Sequence, residues 1–341
     1  MLTIHLEGAR NLLALLNSVS MGNPPAEAKL QAVLDTNHFF IDFYSRWKGV
    51  TRENLIETMR RFHQPGFQPE SPVLSALAKG FWRAVSEKER MQTNLDFLAR
   101  VNPSNIAYRV LAYLPIHTPL QSAIHVTIDG FNGGFQFQGQ MGWSLLNDIA
   151  SPEQFASGIA HELHHVGFAY WVERDPLRKS LLSEKSAKSL AARHIQNLLS
   201  EGLAMFYCSP DMMQDEKVPE AYARKLASYK QDERLLFAQS EKFLAHALQP
   251  GADFATRNQA LEAISIDFDG ILPIGHYLGA RMIETMSGHH PQERIVDCMQ
   301  APARFLPLYN QAARKSGAFT YDPILVEQVS QIFMAEQIRL S

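Results

Sequence analysis

The sequence predicts a mainly α chain that carries one small β-hairpin or sheet, an α+β architecture. Three observations lead there. Apolar residues recur at three- and four-residue spacing through most of the 341 residues. One stretch, about 124 to 138, alternates instead. Clusters of Pro, Gly and Asn separate the periodic segments, with no internal repeat and no low-complexity tract.

In chain order, Phe39, Phe40, Phe43, Tyr44 and Trp47 have helical spacing and read as N-terminal core, with Asp35, Asn37 and His38 placed to line a cleft. Leu55, Ile56, Met59 and Phe62 form a further amphipathic segment, which the loop from Gln64 to Pro72 ends. Another helical stretch follows, up to Asn102-Pro103-Ser104-Asn105, and an N-terminal helical region is drawn over 1–108. Ile124, Val126 and Ile128 then alternate with His125, Thr127 and Asp129, which is strand periodicity. Gly130-Phe131-Asn132-Gly133-Gly134 reads as a turn, and Phe135 and Phe137 alternate with Gln136 and Gln138, so a hairpin is expected between these two strands.

Ser151-Pro152-Glu153-Gln154 combines an N-cap, a Pro at the first helical position and a capping-box Gln, so a helix starts at about 151. Phe155, Ile159, Leu163 and Val166 give it an apolar face. A second helix is expected from about Ser186 to Tyr207, completing a region at 109–210 that holds the hairpin and these two helices. Charged helices from about 215 to 248 end at Gln249-Pro250-Gly251, and more helices complete a C-terminal region at 211–341.

Composition narrows the function class. The net charge of −3 and the lack of Lys or Arg blocks offer nothing for nucleic acid to bind. No apolar run has membrane-spanning length, and the N-terminus lacks a basic leader, so a cytoplasmic location is expected. Cys208 and Cys298 are too few for a disulfide scaffold and read as a free buried pair.

The chemistry concentrates in His161-Glu162-Leu163-His164-His165. On a helix, positions i and i+4 lie one above the other, so His161 and His165 can grip one cation while Glu162, about 100° around, reaches a water on it. This is the HExxH arrangement of zinc peptidases. A catalytic zinc site takes three protein ligands and keeps one position for water. Phe168 and Trp171 stand where a metzincin needs Gly and His, which excludes that class. Glu201, in Ser200-Glu201-Gly202-Leu203-Ala204, is the candidate third ligand, and the small Gly202 and Ala204 would let its helix approach the motif helix closely. His194 competes for the role, followed by Glu173, Asp175 and Glu184; His164 reads as a supporting or packing residue. His125, His289 and His290 read as turn or surface residues.

Across about residues 120 to 285 the chain resembles gluzincin metallopeptidases, and within them the bacterial zinc-dependent peptidases that pair HExxH with a distant E-G-x-A helix. Ser200 and Met205 depart from the thermolysin pattern, which has Asn before the third Glu and Asp four residues after it. The resemblance implies a gluzincin-like core embedded in helices, a Zn2+ cofactor and peptide or protein substrates. It also implies that the strand at 135–140 is an edge that pairs with extended substrate, and that Tyr277, with His276 as the alternative, stabilises the oxyanion. Glu162 would then be the general base. A metal-dependent hydrolase of a non-peptide amide and a metal-braced binding protein are the other readings.

Overall fold

The computed structural model describes residues 2–23, 25–46, 50–147, 151–249, 253–265 and 271–338. It is mainly helical with one four-stranded sheet. The chain divides into two compact units, one formed by residues 1–108 and 120–166, the other by 109–119 and 167–341. No described helix is long and apolar enough to cross a membrane.

The first unit opens with β1 (Leu2–His5), α1 (Glu7–Ser20), α2 (Glu27–Thr36) and α3 (His38–Tyr44). It continues through α4 (Arg52–Arg61), α5 (Pro72–Ser86), α6 (Lys88–Leu98) and α7 (Pro103–Leu111), which runs past its boundary. Strands β2 (Ser122–Thr127), β3 (Gly134–Phe137) and β4 (Gln140–Ser144) and most of α8 (Pro152–Glu173) complete it. Local signals set these boundaries. Thr51 and Asn54 form a capping box on α4, and the Ser71 hydroxyl accepts the Leu74 N–H ahead of Pro72 at the start of α5.

The sheet has the order β1-β2-β4-β3, so β3 is an edge, as the resemblance implies for the strand at 135–140. The hairpin is not the expected one. β3 and β4 pair antiparallel around Gln138-Gly139, whose φ angles of 49° and 74° are those of a tight two-residue turn, and β2 pairs with β4 in parallel. β1, which the pattern did not reveal, pairs in parallel with β2. Phe39 and Phe43 of α3 stack on Phe135, and Phe39 also lies flat on the His125 ring at 4.3 Å, so His125 is half-buried in a ring stack instead of sitting in a turn. The last member of the aromatic run, Trp47, lies outside the described residues, as do Pro250 and Gly251.

A buried carboxylate organises the loop before β3. Asp129 accepts the Tyr44 hydroxyl at 2.9 and 2.7 Å and the Phe131 and Asn132 N–H groups at 2.7 and 3.0 Å. Asn132 closes the network by donating to the Tyr44 oxygen at 2.7 Å. Gly133, next along, accepts the Ser144 N–H and the Asn147 side-chain amide, both at 2.8 Å.

The second unit contains α9 (Pro176–Ser183), α10 (Ala187–Leu203), α11 (Glu220–Gln231), α12 (Glu233–Leu248) and α13 (Phe254–Ser265). α14 (Ile274–Ser287), α15 (Gln292–Val296), α16 (Phe305–Ser316) and α17 (Pro323–Ile338) follow. α10 is its centre: Leu190, Ile195, Leu198, Leu199 and Leu203 are all fully buried. His194 is fully buried beside them, with Nε2 2.7 Å from the Ser240 hydroxyl, and burial pushes its pKa down to about 3. His290 is buried as well and not at the surface, its Nε2 donating to the Leu308 carbonyl at 3.2 Å. Cys208 and Cys298 are free and buried, as expected.

The Asp129 network generates a prediction with a definite sign. Burial raises the Asp129 pKa from 3.8 to about 6, with its hydrogen bonds opposing the rise. The folded carboxyl therefore keeps its proton to higher pH than the unfolded one. That contribution to stability is fully present below 3.8 and is lost as pH rises through about 6. Asp129→Ala should lower unfolding free energy by about 3 kcal/mol, because it orphans the Tyr44 hydroxyl and two N–H groups. In urea titrations, the gap between wild type and variant should narrow as pH rises from about 4 to 6.

Candidate metal centre

α8 begins where its cap requires: the Ser151 hydroxyl accepts the Gln154 N–H at 3.1 Å, and Pro152 is the first helical residue. Phe155, Ile159, Leu163 and Val166 are buried, as their spacing predicts. This leaves His161, Glu162 and His165 half-buried on the rest of the helix. The two imidazoles stand edge to face, with their Nε2 atoms 3.1 Å apart. Two nitrogens bound to one zinc at tetrahedral angles lie about 3.3 Å apart, so the helix alone brings them to ligand spacing. His164 is fully buried and belongs to the packed side of the helix.

Glu162 lies against the sheet edge. A Cβ built on Gly134 would fall 2.7 Å from Glu162 Oε1 and 2.8 Å from its Cγ, so this carboxylate position exists because residue 134, the first of β3, has no side chain. Sequence reasoning missed this contact. Its trace is the Gly133-Gly134 pair, which reads as part of a turn but serves as a close approach.

In the second unit the Ser186 hydroxyl caps α10 by accepting the Ser189 N–H at 3.1 Å. Glu201 sits in the last turn, half-buried, and a single π-helical turn, Ala204–Cys208, follows. Such turns often mark functional positions in helices. The close helix approach that Gly202 permits is to α14, where the motif helix was the expected neighbour: a Cβ there would lie 2.5 Å from the Gly279 carbonyl carbon and oxygen. The same packing sets His276 beside Glu201, with Nε2 3.1 Å from Oε2.

Tyr277 occupies a different environment from its neighbour. It is fully buried, and its hydroxyl donates to Glu233 at 2.6 Å, while Arg281 Nε donates to the same oxygen at 2.7 Å. Burial and the Glu233 carboxylate drive its pKa upward. The hydroxyl is thus committed to packing, and of the two oxyanion candidates His276 is the one that reaches a ligand-type carboxylate. The competitors of Glu201 have structural tasks. His194 bonds Ser240, Glu173 pairs with Lys179, Asp175 caps α9 by accepting the Arg178 N–H at 3.0 Å, and Glu184 accepts the Ser186 hydroxyl at 3.1 Å. Burial pushes the Cys208 thiol up to about 12, away from the thiolate a metal would need.

No match was found among curated proteins or solved structures. A family described as "Putative zinc dependent peptidase (DUF5700)" matches residues 30–318, a span that includes the HExxH helix, Glu201 and His276. With the match extending over most of its length, this chain belongs to that family.

Proposed function

We propose that His161, His165 and Glu201 hold one zinc ion and that the protein hydrolyses peptide bonds with Glu162 as general base. The observation that carries the reading is the pair of imidazole nitrogens 3.1 Å apart with Glu162 one residue from the first. The donor set fits the metal: two neutral imidazoles and a carboxylate are the N and O ligands that a hydrolytic zinc takes, with a position left for water. Zinc in such a set supplies Lewis acidity, which lowers the pKa of a water and polarises a carbonyl.

The chain's own residues supply the rest. Glu162 Oε takes the proton of the attacking water and returns it to the leaving amine nitrogen. β3 has only β4 as a strand partner among the described residues, which leaves one side for an extended peptide to add to the sheet. Main-chain pairing there would bring a scissile bond alongside Glu162, since Gly134 abuts that carboxylate. This is also what favours a peptide over another amide. His276 takes the role of oxyanion donor, because the Tyr277 hydroxyl is held by Glu233.

Glu162→Gln should keep its zinc and lose turnover of a peptide library by about 10³-fold, and a variant that cleaves at the wild-type rate would sink the assignment. Gly134→Ala should lower kcat by about tenfold with zinc content unchanged, because the methyl group displaces Glu162. His276→Gln should lower kcat by about 10²-fold. Tyr277→Phe should leave kcat within about twofold and lower thermal stability instead, through loss of one hydrogen bond to a carboxylate.

A further inference from the structure

The first unit holds a cavity of about 250 Å³ bounded by β1, β2, β3 and the junction of α2 with α3. It shares no residue with the proposed zinc centre. Three histidines line it, His5, His38 and His125, together with Glu7 and Asp35, and among the described lining residues none is Lys or Arg.

The sheet register assembles the cluster. β1 and β2 run in parallel with His5 opposite His125, which sets both imidazoles on one face with their ring centroids 5.0 Å apart. Two imidazoles on one tetrahedral zinc, with Zn–N distances of ~2 Å, have ring centroids about 5 Å apart, so this pair already stands at ligand separation. His38, the first residue of α3, lies edge-on to His125 at 6.3 Å. Its side chain is exposed, so a rotation that moves the ring by about 1 Å brings it in at little cost.

Hydrogen bonds select the nitrogens left to ligate. His125 Nε2 donates to Gln140 Oε1 at 2.6 Å and His38 Nδ1 donates to the Asp35 carbonyl at 3.0 Å, so His125 Nδ1 and His38 Nε2 carry the lone pairs. His5 Nε2 lies 3.0 Å from the Thr3 hydroxyl, and donation to that oxygen leaves Nδ1 bare. A hydrogen bond on the far nitrogen is what orients metal-binding histidines. Burial, with help from His5 and His38, lowers the His125 pKa against the opposing Gln140 bond, which keeps this ring neutral. Asp35 Oδ1 already accepts from Gln31 at 2.7 Å and lies 3.7 Å from Arg52, so the imidazoles are the principal ligands and the two carboxylates supply negative charge.

We propose that His5, His38 and His125 form a second metal site, for a divalent ion of the zinc, nickel and copper type. Imidazole suits these ions, whereas Mg2+ and Ca2+ want oxygen ligands. His5 and His38 are exposed, so the ion exchanges with solvent: it loads when metal is supplied and leaves on dialysis. Bound there, it ties α3 to β1 and β2 beside Phe39, the ring that stacks on both His125 and Phe135.

The test is calorimetric titration of Zn2+ into the dialysed full chain at about pH 7.5, with Mg2+ as comparator. One zinc per chain beyond any retained through dialysis is expected, with a Kd of about 10 μM. His38→Ala and His125→Ala should each weaken that event at least about tenfold, and His161→Ala should keep it. Should His125→Ala fail to fold, the exposed His38→Ala decides the matter. No such event up to about 1 mM zinc, Mg2+ binding as tightly, unchanged affinity in His38→Ala, or loss of the event in His161→Ala would each overturn the proposal.

Discussion

The pitch of one helix ties packing to chemistry in this protein. At 3.6 residues per turn, the stripe of Phe155, Ile159, Leu163 and Val166 that buries α8 also sets His161 above His165, with their Nε2 atoms 3.1 Å apart. Burial of each of those apolar side chains is worth roughly 1.5–3 kcal/mol, and that packing sets which face of the helix carries the imidazoles. Two converging nitrogens are a costly arrangement to assemble from loops. Here the core positions them as a by-product of folding.

The rest of the first unit builds outward from that helix. β3 must reach Glu162 closely enough that no side chain fits between them, so its first residue is Gly134. The approach of that strand is governed by the preceding loop, which turns around the buried Asp129 carboxylate and its four hydrogen bonds. Tyr44 of α3 donates to the same carboxylate, and α3 also supplies the phenylalanines that cover Phe135. A substitution in α3 would thus be felt at the edge strand through two routes, one polar and one aromatic. In the second unit a different device does comparable work: Gly202 against Gly279 lets α14 come near enough to α10 for His276 to meet Glu201.

Helices and their caps were the legible part of the sequence, because Ser151, Ser186 and the three- and four-residue apolar spacing are local signals. The mainly α, α+β class followed from them. The sheet was legible only in part. Alternation revealed β2 and β3, but β2 pairs with β4 in parallel, a non-local choice that no turn motif announces. The true hairpin turn has only Gly139 as its marker, while the glycines at 133 and 134 look like a turn and instead form a loop end and a strand start. Four residues of β1 are too few to show a period. The resemblance puts Tyr277 ahead of His276, but the residues themselves do not decide between them, since the helix separates them by about 100° and the partners that orient them, Glu201 and Glu233, are distant in the chain.

The central claim is that His161, His165 and Glu201 share one zinc. Elemental analysis of purified wild type beside His161→Ala and Glu201→Ala tests it most directly. The account predicts about one zinc per wild-type chain and its loss, or a drop in affinity of at least about tenfold, in both variants. Wild type that folds and takes up no zinc when it is supplied, or Glu201→Ala that keeps its zinc as tightly as wild type, would contradict it.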